Sequence, residues 1–86
     1  MHTETINGSW HLIDDDRCIC CGKPDAEGIV ATVAMPAMKR VLVSIHNKCL
    51  FRTLRKKGED GLMRIARARA NVALTEWHRI QQAANN

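Results

Sequence analysis

The chain has 86 residues, 45% of them hydrophobic, and a formal net charge of +4, which is enough for one domain and too little for two. A core this small leans on a metal or on oligomerisation, and with only Trp10, Phe51 and Trp77 as aromatics it has to be built from aliphatic residues and Ala. No apolar run approaches the ~20 residues of a membrane span and no basic-then-apolar leader opens the sequence, so a cytoplasmic, reducing setting is expected, with no membrane and no disulfides.

In chain order, Thr3-Glu4-Thr5-Ile6 and Ser9-Trp10-His11-Leu12-Ile13 flank Asn7-Gly8. Asn-Gly between strand-like runs predicts a hairpin, because a type I′ turn needs positive φ at both central residues. Asp14-Asp15-Asp16 then reads as a solvated connection; adjacent strand residues point to opposite faces, and no second acidic cluster completes a two-metal site.

Cys18-Ile19-Cys20-Cys21-Gly22-Lys23 carries a Cys-x-x-Cys followed by Gly, and His46-Asn47-Lys48-Cys49 carries a His-x-x-Cys. Cys18, Cys21, His46 and Cys49 together supply three thiolates and an imidazole, the donor set of a closed structural Zn²⁺ site. Two-residue spacers let both members of a pair bend toward one ion, and Gly22 frees the turn behind Cys21. Cys20 in place of Cys18 is the alternative first ligand. With four protein ligands, such a site keeps no open position for water, so the metal is expected to be structural rather than catalytic.

Between the two pairs, two β-branched runs (residues 28–34 and 39–45) surround Met35-Pro36-Ala37-Met38 and predict a second hairpin. A helix capped by Asn47 or Ser44 follows and stops at Gly58. At 100° per residue Leu50, Phe51 and Leu54 fall on one side and Lys48, Arg52, Arg55 and Lys56 on the other. A second helix runs from Glu59 or Asp60 to about Gln82. Its stripe is Met63, Ala66, Ala70, Ala73, Trp77 and Ile80, widened by Leu62 and Leu74. The small Ala side chains allow close approach of another backbone, so Ala66, Ala70, Ala73 and Trp77 are a candidate homodimer face.

The order of Cys-x-x-Cys-Gly turn, hairpin and ligand-bearing helix resembles the treble-clef zinc finger over residues 17–57. Cys18-x-x-Cys21-Gly22-Lys23, with a ligand pair running into Leu50-Phe51, is similar to the N-terminal zinc-binding domain of the ClpX unfoldase. That family has a second Cys-x-x-Cys where this chain has His46-x-x-Cys49, and a shorter hairpin connection. No Gly-x-x-x-x-Gly-Lys-Ser/Thr occurs here, so the resemblance implies fold and metal and not unfoldase activity. The expectation is an α+β chain, 1–86 as one domain. It comprises an N-terminal hairpin and acidic connection (1–16), a treble-clef zinc core (17–58) and a long C-terminal amphipathic helix (59–84).

Residues 1–38 hold six acids and two bases, whereas residues 39–86 hold eleven bases and three acids. A basic half of this kind predicts an acidic partner, nucleic acid or an acidic protein surface, through Lys48, Arg52, Arg55, Lys56, Arg64, Arg67 and Arg69. Enzyme classes find little support. The chain has no Gly-x-Ser-x-Gly, no His-Glu-x-x-His and no phosphate loop, and no His between Gly22 and Ile45 of the kind that HNH nucleases use. The expected function is therefore a non-catalytic, zinc-stabilised binding protein acting on nucleic acid or a nucleic-acid-handling complex, with no small-molecule substrate. The alternative is a protein–protein adaptor or inhibitor docking on a larger machine.

Overall fold

A computed structural model describes residues 1–85. β1 (His2–Ile6) and β2 (Ser9–Ile13) form the first hairpin, and β3 (Gly28–Ala34) and β4 (Lys39–Ile45) form the second. The first turns at Asn7 and Gly8 with φ of 52° and 81°, the doubly positive pair that the Asn-Gly signal demanded.

The two hairpins are not separate. β2 pairs in parallel with β4 through His11↔Arg40, Leu12↔Val41 and Ile13↔Leu42, giving one four-stranded sheet in the order β1-β2-β4-β3. Asp14 extends that ladder by one step, its N–H donating to the Leu42 carbonyl at 3.0 Å. The last strand in sequence thus occupies an interior position of the sheet.

α1 (Asn47–Ala84) covers one face of the sheet. Alternation sends Val41, Val43 and Ile45 of β4, with Val30, Thr32 and Ala34 of β3 and Leu12 of β2, toward the helix. Leu12, Val41, Val43 and Ile45 are fully buried, each contributing roughly 1.5–3 kcal/mol of hydrophobic stabilisation. Ala66, Ala70 and Ala73 are fully buried against the sheet, with Leu74 and part of Trp77 beside them. This corrects the expectation for the Ala residues of the candidate dimer face: Ala66, Ala70 and Ala73 let the chain's own sheet come close and are used up there, while Trp77 is only partly buried. Ile80, at the far end of the stripe, is 52% exposed. At ~1.5 Å per helical residue the C-terminal arm outruns seven-residue strands rising ~3.3 Å each.

α1 is broken at Gly58, whose φ of 71° and ψ of −177° lie where only Gly sits without strain. The break separates a short arm (residues 47–57) from a long one (residues 59–84). The long arm packs on the main apolar cluster, and the short arm stands beside a smaller one of Cys18, Ile45, Cys49 and Leu62.

Candidate metal centre and basic surface

The knuckle closes on its own backbone. The Gly22 N–H donates to the Cys18 carbonyl and the Cys18 N–H to the Lys23 carbonyl, both at 2.9 Å. Ile19 N–H bonds the Ser44 carbonyl at 2.9 Å, which fastens the knuckle to the end of β4. The next residue beyond that strand, His46, is the N-cap of α1, and Cys49 lies in its first turn. Two local features of the chain, a tight turn and a strand-to-helix junction, therefore face each other.

Neither Asn47 nor Ser44 caps the helix. The Glu27 carboxylate reaches across from just before β3 and accepts the Asn47 N–H at 2.6 Å, a bond that lowers its pKa. The Ser44 hydroxyl instead donates to the Asp15 carbonyl at 2.9 Å. Gly28 makes this approach possible: a Cβ there would stand 2.8 Å from the Ile45 carbonyl oxygen and 2.9 Å from Asn47 Oδ1.

One donor atom from each of Cys18, Cys21, His46 and Cys49 lies within 4.8 Å of all the others. Contraction by an ångström or less would place them on a tetrahedral shell with metal–sulfur bonds of about 2.3 Å. His46 is oriented for it. Its Nε2–H donates to the Pro24 carbonyl at 3.1 Å, leaving the Nδ1 lone pair facing the cluster, 3.3 Å from Cys21 Sγ. Cys18 Sγ accepts N–H groups from Cys20 and His46, both at 3.4 Å. Backbone donors aimed at a sulfur favour its thiolate. Four residues that together could hold one metal ion are thus brought together as their spacing predicted.

The charge states without metal reflect the same contacts. Burial pushes the Cys18 thiol up, but the N–H groups of His46, Cys21 and Cys20 outweigh it and bring its pKa down to about 6. Burial pushes Cys49 up to about 11, assisted by its bond to the Cys18 sulfur and by that sulfur's charge. Hydrogen bonds to the Cys18 and Cys21 sulfurs raise His46. All four cysteines are free. Cys20 stands outside the cluster, exposed, with Sγ 3.4 Å from the Thr53 hydroxyl.

The basic residues divide into two groups. Lys48, Arg52, Arg55, Lys56, Arg64 and Arg67 are exposed. Among the described residues, the ion pairs join His2 to Glu4 and Arg69 to Asp14 and Glu76, so none of these six is neutralised by a carboxylate. Arg69 differs. Its Nε and Nη2 donate to the Asp14 carboxylate at 2.6 and 2.8 Å, and that carboxylate is buried. Arg69 is therefore a brace between helix and sheet rather than part of a binding surface. Asp14 correspondingly is no solvated connection; it continues the inward face of Leu12 one step past β2, and the i, i+2 relation is the signal that could have shown it.

The short arm also departs from its expected faces. Leu50 is half-buried, but Leu54 is exposed, and Phe51 is 60% exposed. The inward side carries Cys49, Leu50 and Thr53, and Phe51 turns outward with Lys48, Arg52 and Arg55, spaced i, i+3, i+4 and i+7. Beside this face, Lys48 and Arg52 meet Lys23 of the knuckle around an open cleft of about 470 Å³, lined also by Cys21, Pro24, His46 and Cys49. Lys23 had no motif to mark it; only the fold brings it to the helix.

Among the described residues, no helix is long and apolar enough to cross a membrane. No protein-family model, curated protein or solved structure matches the chain.

Proposed function

We propose that this chain is a zinc-stabilised, non-catalytic binding protein that engages nucleic acid, alone or within a nucleic-acid-handling complex, through the exposed cations of α1. The observation that carries the reading is the contrast among the arginines and lysines. Arg69 has a buried partner, whereas Lys48, Arg52, Arg55, Lys56, Arg64 and Arg67 extend into solvent with no carboxylate to neutralise them. Cations held on a rigid helix suit phosphate contacts, whose formation releases counterions.

Zinc is the metal that a Cys₃His donor set favours, and four protein ligands leave no site for a substrate or an activated water. The sequence of knuckle, hairpin and ligand-bearing helix supports a treble-clef reading of residues 17–57. Anisotropy titration of the zinc-loaded chain with labelled DNA and RNA over a range of salt tests the proposal. With four or five phosphates engaged, log K falls against log salt with a slope of about −3 to −4. A flat response, or no binding at low salt, overturns it.

One observation favours the second reading, a protein adaptor. On the sheet face away from α1, no element among the described residues covers Ile29, Ala31, Val33 and Leu42, and Ile29 is 66% exposed. An apolar sheet face of this kind suits a protein surface better than a phosphate backbone. Charge reversal at Arg52 and Arg55 separates the two: it abolishes nucleic-acid binding, while a partner docked on the sheet stays bound.

A further inference from the structure

We infer that the nucleic acid this surface takes is single-stranded, with a phosphate in the cleft between knuckle and helix and the adjoining base stacked on Phe51. The inference rests on the nucleic-acid reading above and names its substrate class. Two observations carry it. The first is the cleft itself. Its cations come from two elements, Lys23 from the knuckle and Lys48 and Arg52 from α1, and converge on a space of about 470 Å³. Since Glu27 already occupies the Asn47 N–H, that donor is not open to an anion, and the charge that would hold one comes from these side chains. Three thiolates around one divalent ion leave the loaded cluster with residual negative charge, and three cations at the rim are enough to reverse it.

The second observation is the ring beside them. The chain has three aromatic residues, and Phe51 is the most exposed of them at 60%. It sits one residue before Arg52 and three after Lys48, both of which line the cleft. A ring flanked by cations can lie flat against a base while the cations hold the phosphates on either side. In a duplex both faces of each base are covered by its neighbours, so a ring can reach one only at the cost of unstacking a step, whereas an unpaired base offers its open face. Phosphate contacts alone would be indifferent to this difference, and the exposed ring is what turns a general polyanion surface into one that distinguishes strands.

The test uses the full zinc-loaded chain with a labelled oligothymidylate and a labelled hairpin duplex of equal charge, read by anisotropy at low salt. Zinc content and circular dichroism are recorded for each variant. The single strand binds roughly 10-fold more tightly than the duplex, and Phe51→Ala removes that advantage while leaving duplex binding unchanged. Phe51→Trp keeps the advantage, and Lys23→Glu weakens single-strand binding roughly 10-fold at full zinc occupancy. Equal affinity for both forms, insensitive to Phe51→Ala, overturns the stacking role and leaves the nucleic-acid reading standing. An unaffected Lys23→Glu variant overturns the cleft as the phosphate site. Failure of both probes to bind removes the nucleic-acid reading together with this inference.

Discussion

The two arms of α1 meet the rest of the chain on different terms. Past Gly58 the helix lies on a continuous apolar layer, with Ala66, Ala70 and Ala73 fully buried against Val41, Val43 and Leu12. Ahead of Gly58 the buried contacts narrow to Cys49 beside Cys18, Ile45 and Leu62, while Phe51 and Leu54 face outward. One arm is positioned by shape complementarity over many residues, the other by a few sulfur and nitrogen atoms. The difference places Lys48, Arg52, Arg55 and Lys56, four of the six cations proposed to bind, on the arm with few packed contacts beside the Cys/His cluster, and leaves Arg64 and Arg67 on the packed one.

The sharpest way to break this comparison is to remove a ligand. Cys49→Ser should lose stoichiometric zinc. With metal binding worth ~10 kcal/mol or more in small zinc sites, its melting temperature should fall by roughly 20 °C or more. Hydrogen exchange should show residues 47–57 unprotected while residues 62–74 keep their protection. A variant that melts like the parent would show that the short arm holds itself.

Next in size is Arg69→Ala, which leaves the buried Asp14 carboxylate with the Asp15 N–H but without its charged partner and should cost about 3 kcal/mol. That loss belongs to the packed half, so zinc affinity should stay within about twofold of the parent. Ala70→Leu should cost about 1–3 kcal/mol through overpacking under the sheet, again with zinc retained. If it instead leaves the melting temperature unchanged, the long arm is less closely seated than its complete burial implies.

The smallest effect sharpens the metal side. Near pH 7.5 Cys18, lowered to about 6, is already a thiolate, whereas Cys49, raised to about 11, must release its proton to the solvent on loading. Zinc affinity should therefore drop roughly 10-fold for each unit by which the pH is lowered, per proton released. The slope should steepen as the pH falls, first where the raised His46 takes up its proton and again below about 6, where Cys18 does. Competition with a chelator of known affinity between pH 5.5 and 8 reads both limbs; a pH-independent affinity would contradict a thiolate-rich site.

Much of this was legible in the residues themselves because it is local. Asn7-Gly8 specifies its turn, the two x-x spacers specify which cysteines converge, and Gly58 marks the helix break. What escaped was pairing across long separations. The parallel contact of β2 with β4 leaves no periodic trace, since each strand's alternation is satisfied whichever neighbour it finds. The Ala stripe reads alike for a partner helix and for the chain's own sheet. Asp14 was hidden among three identical neighbours, and with it the reason for Arg69. Phe51 faces outward because the inward side of the short arm is centred on Cys49 and Thr53 and not on the arm's apolar residues.

β4 slots between a hairpin made before it and the strand directly preceding it, and among the described residues is the only strand hydrogen-bonded to both. A nascent chain that has emerged only as far as β3 accordingly possesses two unconnected pieces and no common interior. Assembly must wait for the final strand to arrive, after which both pieces gain their shared neighbour in one event. Deleting the first sixteen residues would correspondingly bare a flank of that same strand, so the N-terminal hairpin acts as a permanent cover against edge-on aggregation.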